Sequence, residues 1–84
     1  MVSLDKLKVE FAACRGDFPW RKCRALLLQL GYEELPHGHT GGSRAKYHNA
    51  AVRDLIMVDV PHNGTMGRSM VRRIQDQLSA KGLI

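Results

Sequence analysis

Apolar positions change period along the chain, and those changes divide it into elements. Leu4, Leu7, Val9 and Phe11 predict a short helix over about Leu4–Cys14, with Ser3 as its N-cap, although their spacing is not cleanly periodic. Arg15-Gly16-Asp17 ends it. Trp20, Cys23, Leu27 and Leu30 then follow i, i+3, i+7, i+10, one face of a second helix. Leu26 widens that stripe, and Arg21, Lys22 and Arg24 turn outward. Asp17 is the expected cap of this helix, Pro19 suits its first turn, and Gly31 is its expected stop. Trp20 is expected to pack rather than to stack on a base.

From Tyr32 the pattern shortens. Tyr32–Leu35 reads as a first strand, Pro36–Gly42 as a loop, Ser43–Asn49 as a second strand and Leu55–Val60 as a third. The third is apolar on nearly both sides, which predicts a central or well-covered strand. The helical period returns at Met66, Met70, Ile74 and Leu78, with Val71 beside them, Thr65 as candidate N-cap and Gly82 as the stop. Helix, helix, three antiparallel strands, helix predicts an α+β domain with its helices on one face of the sheet.

Composition narrows the class. Eighty-four residues, 44% hydrophobic and 25% charged, suit one small globular domain and not a disordered chain. The net charge of +5 favours a polyanionic partner, either nucleic acid or an acidic protein. Cys14 and Cys23 have no second pair, so no zinc-ribbon spacing exists, and two buried, reduced thiols in a cytoplasm are expected. The N-terminus carries charges where a signal peptide needs an apolar run, and Ala25–Leu28 is far too short to span a bilayer. A soluble cytoplasmic protein is therefore expected, with no membrane partner.

The stretch with most chemistry is Gly41–Asn49. A glycine pair with Thr40 and Ser43 breaks the backbone. The strand that follows puts Arg44, Lys46 and His48 on one face and Ala45 and Tyr47 on the other. Two fixed cations and one titratable ring suit a phosphodiester; the plainer alternative is the solvated face of a half-buried strand. Asp59 is expected to pair with Arg44, Lys46 or Arg53. Ser43 suits a turn or a phosphate hydrogen bond, since no His–acid relay accompanies it. Arg68, Arg72 and Arg73 lie off the apolar stripe of the last helix and are the next phosphate candidates, or simply its solvated face. His37-x-His39 with His48 lacks the spacing and the acid or Cys neighbours of a metal site, so no metal is expected.

From Trp20 to Ile84 the chain resembles the HicA toxins of bacterial toxin–antitoxin pairs. The helix ending Leu-Leu-Leu-Gln-Leu-Gly-Tyr is similar to the family's first helix, and Gly42-Ser43 to its turn into the second strand. Val60-Pro61-His62-Asn63-Gly64 is similar to its third-strand exit. Arg72-Arg73-Ile74-Gln75-Asp76-Gln77-Leu78 with Gly82-Leu83-Ile84 is similar to its last helix. Leu4–Arg15 is extra to the short family form. The resemblance implies a double-stranded-RNA-binding-like fold, α-β-β-β-α, here with an additional N-terminal helix. It implies an mRNA endoribonuclease that needs no metal or other cofactor, a monomer or weak dimer when free, neutralised by a HicB-like antitoxin. Arg44, Lys46, His48 and His62 are then the catalytic candidates. Gly42, Ser43, Arg68, Arg72 and Arg73 are the RNA-binding ones.

The chain departs from the family where a catalytic His usually follows Gly-Ser. Arg44 stands there, as in a subgroup of similar proteins. Cleavage by the 2′-hydroxyl needs a base for that proton and an acid for the leaving 5′-oxygen. An imidazole can do either, whereas a guanidinium stays protonated and can only stabilise the charged transition state. Three routes remain open: His48 is recruited; His37, His39 or His62 comes in from a loop; or the protein does not cut RNA and is instead a small RNA-binding or protein-interaction module of the same fold.

Overall fold

The computed structural model describes residues 3–36 and 44–84. Its elements are α1 (Leu4–Ala13), β1 (Phe18–Pro19), α2 (Trp20–Gln29), β2 (Glu33–Glu34), β3 (Arg44–Asn49), β4 (Asp54–Asp59), β5 (Thr65–Met66) and α3 (Arg68–Ala80). β2, β3 and β4 form an antiparallel three-stranded sheet in that order, and β1 pairs with β5 in a separate two-stranded one. The domain is thus α+β, and its main elements are compatible with α-β-β-β-α after the extra helix α1.

Strand alternation decides what faces the core. Ala45, Tyr47, Asn49, Asp54, Ile56 and Val58 are buried, while Arg44, Lys46, His48, Leu55, Met57 and Asp59 are exposed. The inward apolar residues join Leu7 and Phe11 of α1, Cys23, Leu26 and Leu27 of α2, and Val71, Ile74 and Leu78 of α3 in one core. The helices therefore cover one face of the sheet, and among the described residues no helix or strand covers the other. Trp20 is buried and meets the Tyr47 ring edge-on at 5.9 Å, as packing rather than stacking predicts.

Helix ends follow the sequence in part. Ser3 caps α1, its Oγ accepting from the Lys6 amide. Gly31, at φ +101, lets the Tyr32 amide reach back to Leu27 O and its own amide to Leu28 O, which closes α2. Gly82, at φ +71, closes α3 in the same way through Leu78 O and Ser79 O.

Three expectations are corrected. Asp17 does not cap α2: Phe18 is buried and pairs with Met66, so Phe18–Pro19 is a strand, and Pro19 occupies the N-cap position with no side-chain bond. The Trp20 amide is satisfied instead by Gly64 O at 2.9 Å. Thr65 does not cap α3, because it pairs with Pro19 in β5, and the helix starts after Gly67. β4 is an edge strand rather than a central one, and its outward Leu55 and Met57 stay 44% and 47% exposed. Its edge is nonetheless closed: Arg73 Nη2 donates to Met57 O at 2.7 Å and Gln77 Nε2 to Leu55 O at 2.7 Å. Those bonds occupy carbonyls that would otherwise invite another strand.

Buried polar groups are paired. Asp54 accepts from Tyr32 Oη at 2.6 Å and from Gln77 Nε2, and Tyr47 Oη donates to Glu34, which also accepts from Arg24. Of the two thiols expected to be buried, Cys23 is buried and Cys14, at the exit of α1, is only half-buried. Burial pushes the Cys23 thiol from 9.0 to about 12. Burial first, then the bond to Glu34, raises the Tyr47 phenol from 10.0 to about 12. Both groups hold their protons longer when folded. Their contribution is intact below pH 9 and is lost as pH climbs from 9 towards 12. Cys23 alone should cost about 2 kcal/mol by pH ~10.5, seen as a lower urea midpoint than at pH ~8. Equal midpoints would contradict this assignment.

Candidate nucleic-acid interface

Arg44 opens β3, and its partner across the sheet is Asp59, the last residue of β4. Arg44 Nε lies 3.3 Å from Asp59 Oδ1, one of the three pairings that the sequence leaves open for this acid. Both side chains are about two-thirds exposed, at 67% and 66%, so water competes and the pair contributes only about 0–1 kcal/mol. Arg44 is therefore available to an incoming anion.

A cleft of about 500 Å³ opens between this strand pair and the first turns of α3. Arg44, Asp59, Ser69 and Arg73 line it, together with Met57, Val58 and Met70. Ser69 and Arg73 are four residues apart and so share one side of the helix. Arg73 spends one guanidinium nitrogen on Met57 O, which fixes its position and leaves other donors for a ligand. Two fixed cations and a hydroxyl can hold a phosphate here; Asp59 opposes it.

The other expected site residues are spread around this cleft. Lys46 and His48 share the open face with Arg44, opposite Met57 and Leu55 of β4. His48 also faces Glu33 of β2. By strand rise they lie ~7 and ~13 Å beyond Arg44, and neither lines the cleft. His62 is exposed in the turn after β4 and does not line it either. Arg68 and Arg72 are exposed on α3 but line a different pocket, with Cys14 and Arg15. Gly42, Ser43, His37 and His39 lie outside the described residues. The expected basic set is thus divided, with Arg44 and Arg73 together and Arg68 and Arg72 apart from them.

Ser69 and Arg15 were missed by reading the sequence. Ser69 could have been found as the residue one helical turn before Arg73. Arg15 follows a helix of irregular period, and no pattern ties it to α3. Among the described residues no cluster of three or more His, Cys, Asp or Glu side chains is arranged to hold a metal ion, and no helix is long and apolar enough to cross a membrane. No family model, curated protein or solved structure matches the chain.

Proposed function

We propose that this chain is a HicA-like RNA-binding protein with a double-stranded-RNA-binding-like fold, the toxin of a toxin–antitoxin pair held in check by a HicB-like antitoxin. One observation carries the reading: the strand cation Arg44 and the helix cation Arg73 line one open cleft beside Ser69. A ribose–phosphate backbone is a ligand for which such a cleft, on a chain of net charge +5, is fitted. The grip is to backbone and 2′-hydroxyls, so it reads shape more than sequence.

Metal-independent cleavage belongs to the same proposal. Arg44 would stabilise the charge that develops on the phosphate when the 2′-hydroxyl attacks. His48 stands ~13 Å along β3 from it, outside hydrogen-bond reach of the same phosphate. In this scheme His62 or a histidine of segment 37–43 therefore takes the 2′-proton and, once protonated, gives it to the leaving 5′-oxygen as the P–O5′ bond breaks. A second reading, a silent RNA binder, is favoured by the cleft itself: among the described residues no histidine lines it.

Purified protein incubated with labelled structured and single-stranded RNA, with and without chelator, separates the two. Chelator-resistant fragments, with growth arrest on expression alone that a co-expressed neighbouring gene relieves, are the expected result for the toxin. Binding that weakens steeply with salt while the RNA stays intact identifies the silent binder. RNA that neither binds nor breaks would end both.

A further inference from the structure

The second arginine group occupies a built pocket. It is about 370 Å³, lies between the exit of α1 and α3, and is lined by Arg15, Arg68 and Arg72 with Cys14, Gln75 and Asp76. Its walls are fastened. Gln75 Nε2 donates to Phe11 O at 2.7 Å and to Cys14 O at 2.9 Å, which pins the end of α1 against α3. Cys14 Sγ bridges to Gly16 O and Asp17 O at 3.3 Å each, so the backbone on both sides of Arg15 is held. Arg15, Arg68 and Arg72 are exposed, and among the described residues none of them forms an ion pair. Elsewhere Lys22, Arg24 and Arg44 each have a carboxylate partner. Arg68 and Arg72, one helical turn apart, repel each other, and Asp76 offsets only one of the three charges. An anion in the pocket relieves that repulsion.

α3 therefore carries basic groups on two sides. Ser69 and Arg73 face the cleft with Arg44, while Arg68 and Arg72 face the pocket with Arg15. We propose that this pocket is a second backbone-phosphate site, so that one RNA crosses the N-terminal half of α3 and is held on both sides. It rests on the RNA-binding reading above and adds to it a site completed by Arg15, a residue outside the stretch that resembles the HicA toxins. The extra helix then lengthens the RNA footprint.

Arg15→Ala is the test, with binding followed over a range of salt. Two probes are used: a hairpin RNA of about 20 nucleotides and a trinucleotide that fills only the cleft. On the hairpin, Arg15→Ala should weaken binding about three- to tenfold and lower the log–log salt slope by about 0.7–0.9, the loss of one phosphate contact. On the trinucleotide it should change nothing, while Arg44→Ala weakens both probes. Arg72→Gln should repeat the Arg15 result from the α3 side, and thermal melts check that both variants fold. An unaltered hairpin slope in Arg15→Ala and Arg72→Gln, with Arg44→Ala still weakened, overturns the second site and leaves the first standing. Equal losses on hairpin and trinucleotide also overturn it as a separate site. Failure of the unaltered protein to bind either probe overturns the RNA reading itself.

Discussion

Replacing Arg44 with glutamate should lower RNA affinity about 10- to 100-fold and reduce the salt dependence of binding. A hydrogen bond from a charged donor to a phosphate contributes about 1.5–3 kcal/mol, and each 1.4 kcal/mol is about tenfold. On the proposed RNA-binding reading the variant loses that bond, and it sets a second carboxylate beside Asp59 in the same cleft. Stability should barely move, because the ion pair broken is exposed on both sides. Asp59→Asn is the complementary arm. It removes the acid that competes with phosphate for Arg44, so affinity should rise a few-fold. Fluorescence anisotropy on one labelled RNA at several salt concentrations measures both. An Arg44→Glu affinity within twofold of the unaltered protein would show that the cleft is not where RNA is held.

Much of the scaffold behind that cleft is legible in the residues themselves. The spacing of Trp20, Cys23 and Leu27 specifies the inward face of α2, and all three are buried. Arg44, Lys46 and His48 alternate with Ala45 and Tyr47, and the observed exposure follows that alternation residue for residue. What escapes such reading is pairing between distant segments. β1 and β5 are two residues each, too short to show any period, yet their pairing displaces the expected caps Asp17 and Thr65. Leu55 and Met57 look like residues of a covered strand. They are exposed because they point to the sheet face away from the core, on a strand at the end of the sheet whose edge carbonyls take side chains of α3, contacts that local hydrophobicity does not encode. The site divides for a simpler reason. Arg72 and Arg73 are neighbours in sequence but point in directions ~100° apart around a helix, so one joins Arg15 and the other Arg44.

Phe11→Ala should have the largest effect on stability, because the irregular helix α1 is part of the core and not an appendage. Phe11 is 0% exposed, and its ring meets Phe18 edge-on at 5.0 Å. Truncating a buried phenylalanine costs about 3–5 kcal/mol through lost burial and the cavity left behind. A domain of 84 residues has about 4–13 kcal/mol in all. The thermal midpoint should fall by roughly 15–30 °C. Val9, on the same helix but 68% exposed, supplies the control, and Val9→Ala should stay within about 0.5 kcal/mol. The consequence reaches the proposed RNA surface. Gln75 fastens α3 to the carbonyls of Phe11 and Cys14, so loosening α1 releases Arg15 from the pocket it shares with Arg68 and Arg72. Below its midpoint, Phe11→Ala should therefore bind the hairpin RNA like Arg15→Ala while holding the trinucleotide normally. A midpoint unchanged by the truncation would mean that α1 does not hold that pocket together.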